Sequence, residues 1–198
     1  MYAAVLSVSI MDIQARLYDI KAELVSSYSI SSDVFDMLPG RAFVPPIYRS
    51  SQFRQLFDSL TEYTARGSSL EAHHLSLTIT KSRNQFRVCI FSDKETLPLL
   101  SIHLVEWQYQ KMVEVLLAGG MQCIRSYQQN VKLYLYKPLQ TVFSIFQSND
   151  IPTFLYVHTD KEESIIQSLA LLNISMDKTV NYSLKEVYTY YNIPICLF

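Results

Sequence analysis

A chain of 198 residues with 49% hydrophobic and 18% charged side chains can bury a core, which excludes a disordered tail or linker. Four glycines exclude collagen-like and glycine-rich architectures. The net charge of −1 is unevenly spread. Residues 73–137 hold eight Lys/Arg against four acids, a local +4, which leaves −5 for the remainder. A basic middle in an acidic frame suits an anionic ligand at the middle.

In chain order, residues 2–9 read as a short strand or extended lead-in. Ile10, Ile13, Leu17, Ile20, Leu24 and Tyr28 recur at three- and four-residue spacing, which predicts one amphipathic helix ending in the polar run 26–33. Prolines and a glycine at 38–48 mark a punctuated connection. Phe53, Leu56, Phe57 and Leu60 predict a shorter helix ending before Gly67.

The clearest part is the middle. Residues 74–80 alternate, with His74, Ser76, Thr78 and Thr80 on one side and Leu75, Leu77 and Ile79 on the other. That is a half-buried strand. Phe86, Val88 and Ile90 supply the return strand of a hairpin. Leu100, Ile102 and Leu104 make a third strand, with Ser101 and His103 outward. Val105, Tyr109, Met112, Val113 and Leu116 form a helical stripe stopped at Gly119-Gly120, where glycine permits a left-handed cap. Two further strands, "MQCIRSY" and "VKLYLY", follow around "QQN". The second puts Val131, Leu133 and Leu135 in the core and Lys132, Tyr134 and Tyr136 outside. Pro138 opens a helical pattern through Leu139, Val142, Phe143 and Phe146. "TFLYVHT" reads as a strand and residues 160–172 as a helix opened by Asp160. Ser183 caps a last helix with Glu186 three residues on, and the tail "NIPICLF" is apolar enough to be buried.

These elements predict an α+β protein with a central antiparallel sheet of about five strands and helices packed on one face. Its parts are a helical N-terminal extension (1–66), a sheet-plus-helix core module (73–137) and an α/β C-terminal extension (138–198). Cys89, Cys123 and Cys196 are widely spaced and odd in number, so the expected compartment is a reducing cytoplasm. No apolar run approaches the ~20 residues of a membrane span, and the N-terminal stretch reads as part of the fold.

Chemistry is sparse. Glycine-rich phosphate loops, metal-helix histidine pairs and nucleophile elbows are missing from the sequence. His73-His74 would face opposite sides of a strand and cannot share an ion there. Cys89 is flanked by Val88, Ile90 and Phe91, which argues for packing over reactivity. The chain is therefore expected to be no enzyme and to need no cofactor or metal. What remains is the wet sheet face. Arg87, Arg125 and Lys132 would neutralise phosphates, and Tyr127, Tyr134 and Tyr136 would stack on bases.

"HHLSLTIT" and "LLSIHLVEWQYQKMVEVLLAGGMQCIRSY" resemble a family of small proteins carried by phages and prophages. The matching positions are His74, Leu75–Ile79, Ile102, Leu104, Gln108, Tyr109, Met112, Val113, Gln122, Cys123 and Ile124. Val105 replaces the family's usual serine, and its glycine-rich loop shortens to Gly119-Gly120. The strand–strand–strand–helix order also resembles positive-cofactor-type coactivators that bind single-stranded DNA, although the acidic frame departs from them. These resemblances imply a phage or mobile-element accessory protein, non-enzymatic, engaging single-stranded nucleic acid on the sheet. The alternative is a modulator or inhibitor of a host or defence protein. A homodimer fits either reading.

Overall fold

The computed structural model describes residues 2–41, 50–64, 68–92 and 97–191. Among these residues it holds nine strands and five helices, so the sheet is larger than the five strands expected. The strands are β1 (Tyr2–Val5), β2 (Glu23–Met37), β3 (Leu75–Ser82), β4 (Gln85–Ser92), β5 (Leu100–Leu104), β6 (Met121–Tyr136), β7 (Thr141–Ser148), β8 (Phe154–His158) and β9 (Thr179–Val180). The helices are α1 (Ile10–Asp19), α2 (Ser51–Tyr63), α3 (Glu106–Ala118), α4 (Glu162–Leu171) and α5 (Leu184–Tyr190). The strand order is β5-β4-β3-β2-β6-β7-β8-β1-β9. No described helix is long and apolar enough to cross a membrane.

Two units share the chain, one of Met1–Ile30 with Tyr127–Ile195 and one centred on Ser31–Ser126. In the second, the β3–β4–β5 ladder sets Leu77 opposite Ile90, Ile79 opposite Val88, and Val88 opposite Ile102. This row is the apolar face. Leu56, Phe57 and Leu60 of α2 and Met112 and Leu116 of α3 close over it. Phe35 and Met37 of β2 and Leu70 join the same core. The Asp36 carboxylate accepts from the N–H groups of Met37 and Leu70, both at 2.7 Å, and so anchors the chain ahead of β3. Between α3 and β6 the chain turns at Gly120, φ +91°, where a Cβ would stand 3.3 Å from Arg41. Gly119 is the right-handed C-cap and Gly120 the left-handed residue after it, so the glycine pair ends the helix as expected.

The first unit is buried from both sides. One cross-strand row runs Ala3–Val157–Phe143–Tyr134 and the next Val5–Leu155–Ile145–Lys132. Ile13 and Leu17 of α1 and Ile165 and Leu169 of α4 pack on this side. On the opposite side Val131, Phe146 and Phe154 lie abreast. Phe146 stacks on Phe154 at 4.7 Å, and Tyr188 of α5 meets Phe154 edge-on at 5.9 Å. The Tyr188 hydroxyl is bonded by Gln129 Nε2. Helices therefore occupy both sides of these strands rather than one. A capping box holds α5: Ser183 Oγ accepts from Glu186 N, and Glu186 Oε2 accepts from Ser183 N at 2.6 Å. The Ser183 hydroxyl and then the Ser183 backbone N–H, both hydrogen-bonded to the Glu186 carboxyl, keep it below its ordinary range. The cap is complete above that range and is lost as pH falls through the depressed value.

Three expectations for local structure fail for identifiable reasons. The helix expected through Tyr28 stops at Asp19, because Lys21 takes a left-handed conformation (φ +59°) and the polar/apolar alternation that follows belongs to β2. The helix expected from Pro138 is one 3-10 turn, Lys137–Leu139, after which Gln140 turns left-handed and the β-branched and aromatic run 141–146 enters β7. The two strands expected around "QQN" are one strand, β6. The hairpin, α2, α3 and the Ser183 cap stand as expected, and α4 begins two residues after Asp160. The "NIPICLF" tail lies outside the described residues.

Phe143 is fully buried between α1, α4 and its strand neighbours. Phe143→Ala is expected to destabilise by about 3–5 kcal/mol, as large-to-small core changes do, read as a lower midpoint in chemical denaturation. A loss under about 1 kcal/mol would mean that this row is not the unit's core.

Candidate anion-binding face

The second unit has a polar face behind its apolar one. The ladder that aligns Leu77, Ile79, Val88 and Ile102 turns the alternate residues the other way. Thr80 stands opposite Arg87, and Arg87 opposite His103; Thr78 stands opposite Cys89, and Cys89 opposite Ser101. Period-two alternation makes this set unavoidable once the apolar row is buried.

The face divides into floor and rim. Thr78, Thr80 and Cys89 are each 0% exposed, and Ser32 of β2 is buried beside them. Ser32 Oγ approaches Thr80 Oγ1 at 3.4 Å, and Cys89 Sγ approaches Ser101 Oγ at 3.4 Å. Thr78 Oγ1 has no hydrogen-bond partner although it is fully buried. Ser101 and His103 are exposed at the rim. Half-buried Arg87 joins the two levels, its Nη2 3.1 Å from His103 Nε2. A guanidinium on the same side of the ladder as buried hydroxyls makes a donor-rich set that matches the oxygens of a phosphate. On this face the ladder strands β3, β4 and β5 bring no carboxylate to oppose it.

The six residues expected to bind nucleic acid do not share one face. Arg87 alone sits on the polar face just described. Arg125 is exposed on β6. Tyr127 is buried at 8% exposure in the other unit, near Tyr188. Lys132 stands opposite Ile145 on the side covered by α1 and α4. Tyr134 and Tyr136 pack into the same core, and the Tyr134 hydroxyl accepts from Gln14 Nε2 at 3.1 Å. The outward placement of Lys132, Tyr134 and Tyr136 is thus reversed, because both sides of β6 are covered here. His74 is not on the strand: it caps a 3-10 turn in a left-handed conformation, and β3 starts at Leu75.

A second polar cluster escaped the sequence analysis. Ser126 Oγ donates to Asp33 Oδ1 at 2.5 Å and lies 3.3 Å from Cys123 Sγ. Residues three apart face opposite sides of a regular strand, so the pleat of β6 is interrupted between Cys123 and Ser126, as a bulge does. Partial burial, then Asp33, raises the Tyr109 phenol. Burial, with Tyr2 beside it, pushes the Tyr156 phenol up to about 12. Among the described residues, no three His, Cys, Asp or Glu side chains gather to hold a metal ion.

No protein-family model matches the sequence, and no curated protein does. Solved structures do resemble the fold. One is the adenylyl cyclase candidate HpAC1 from Hippeastrum, whose structure is reported with a dominant triphosphatase activity. It matches at a TM-score of 0.52 and 10% identity, over 98% of each chain. Another is the PH1819 protein of Pyrococcus horikoshii OT3, at a TM-score of 0.50 and 13% identity, over 97% of each chain. At such identities the likeness is one of fold. It spans nearly the whole chain, whereas the phage-protein and coactivator resemblances rest on about 55 residues and a strand–helix order. Those resemblances are overturned by it. The reading of a non-enzymatic nucleic-acid binder, or of a modulator of a host or defence protein, is withdrawn with them.

The unpartnered Thr78 hydroxyl gives a stability test. An unsatisfied buried hydroxyl costs on the order of 1–3 kcal/mol, so removing it is not penalised. Thr78→Val is expected to leave the denaturation midpoint unchanged or to raise it. A drop worth more than about 1 kcal/mol would show that the hydroxyl already has a partner in the free protein.

Proposed function

We propose that this chain is an enzyme that hydrolyses a triphosphate, bound on the β3–β4–β5 polar face. The observation that carries the reading is the Arg87 guanidinium on the same side of the ladder as the buried, unsatisfied Thr78 hydroxyl. The fold likeness to the Hippeastrum protein supports it, since that protein's reported activity is on triphosphate.

Phosphoryl transfer asks a protein mainly for positioning and charge stabilisation. Arg87 would meet two phosphate oxygens with its planar fork, an arrangement lysine cannot reproduce. Ser101 at the rim and Thr78 on the floor would donate to oxygens of the same chain. The low-polarity floor strengthens each of these bonds relative to water. Any divalent ion the reaction needs would arrive bound to the phosphates of the substrate.

The test is phosphate release from inorganic triphosphate and from ATP, with magnesium or manganese in the buffer. Wild type is expected to release phosphate, and Arg87→Ala to lose roughly 100-fold or more in rate, as when a transition-state donor is removed. Thr78→Val is expected to lower the rate while the fold stays intact. Absence of release from either substrate, or an Arg87→Ala rate equal to wild type, would reject the assignment.

A further inference from the structure

Arg87 carries only donors and stays protonated, so its contact with His103 Nε2 requires that nitrogen to be an acceptor. In that contact His103 Nε2 is the acceptor and Arg87 Nη2 the donor. The ring is exposed at the rim. On the polar side, β4 brings Arg87 and Cys89, β3 brings hydroxyls only, and β2 brings Asp36, whose carboxylate is engaged by Met37 N and Leu70 N. Glu106 heads α3, three residues beyond His103.

We propose that His103 takes up a proton when a polyphosphate occupies this face. The inference rests on the reading of the face as a triphosphate site. The exchange balances simply. Arg87 Nη2 moves its donated hydrogen bond from His103 Nε2 to a phosphate oxygen. Nε2, left without a donor beside the anion, gains a proton from solvent and donates to another phosphate oxygen. No covalent bond other than the new N–H is made. The imidazole thus acts as a placeholder that aims the guanidinium in the free protein and becomes a second cation in the complex.

The sign follows from linkage. The complex binds one proton more than the free protein, so affinity rises as pH falls through the range where imidazoles titrate, by at most about tenfold per pH unit. Protonation of the ligand's own terminal phosphate, in the same range, acts in the opposite direction. His103→Gln separates the two, because glutamine offers an acceptor to Arg87 but cannot gain a proton.

The experiment is calorimetric titration of the whole protein with inorganic triphosphate at about pH 6 and about pH 8, in buffers of unlike ionisation heat. Wild type is expected to take up protons on binding and to bind several-fold tighter at the lower pH. His103→Gln is expected to bind more weakly there and to show a flat or reversed pH response. If His103→Gln does not fold, ring NMR of wild type, with and without triphosphate, reads the same event as one imidazole of the four passing to its charged form. Binding with no proton uptake, or with uptake unchanged in His103→Gln, overturns the inference and leaves the triphosphate site standing. Lack of binding at either pH, or full binding by Arg87→Ala, overturns the site and the inference together.

Discussion

The pleat of an antiparallel ladder is the constraint on which the candidate face depends. In β3–β4–β5, each residue that enters the α2/α3 core commits its neighbours to the other side. Leu77, Ile79, Val88 and Ile102 are driven inward by burial worth roughly 1.5–3 kcal/mol per side chain. That gain exceeds the penalty of about 1–3 kcal/mol for leaving the Thr78 hydroxyl unsatisfied. The apolar row therefore dictates the register, and the polar row is carried along in whatever order the sequence supplies. Thr80, Arg87 and His103 become neighbours because Ile79, Val88 and Ile102 must.

The same rule gives a different outcome in the other unit. There the strands are covered on both sides, by α1 and α4 on one and by Tyr188 of α5 on the other. Phe146, Phe154 and Val131 occupy the positions that correspond, by alternation, to a second face. Stacked rings and a buried phenol leave little for an anion to bond. Burial raises the Tyr188 phenol, which stays protonated as a packing group whose hydroxyl is met by Gln129. The donor-rich face belongs to the other unit.

How much of this could be read from the sequence depended on how many sides of each strand are wet. β3 and β4 were legible because Leu75, Leu77, Ile79 and Phe86, Val88, Ile90 alternate against polar partners. Arg87 and His103 followed with the right sidedness. β6 was misread because alternation cannot assign a side when both are covered, and Tyr134 serves a core as well as leucine does. The opening of β2 was misread because Leu24 and Tyr28 continue the helical spacing of Ile13 and Leu17 by coincidence. One left-handed residue, Lys21, breaks the run without glycine or proline to announce it. Ser32 was lost to the floor of the site for the same reason.

The sidedness of β6 also separates two uses of the same residue types. Cation and tyrosine together suggested base stacking, but Lys132, Tyr134 and Tyr136 lie on the side that α1 and α4 cover. On the β3–β5 face Arg87 stands between Thr80 and His103, with Cys89 and the buried Phe91 further along β4. Stacking reads flat bases, whereas a fork of N–H donors alongside hydroxyls reads tetrahedral oxygens. The face thus presents a guanidinium, an imidazole and hydroxyls, an arrangement set by packing on the opposite side of the sheet.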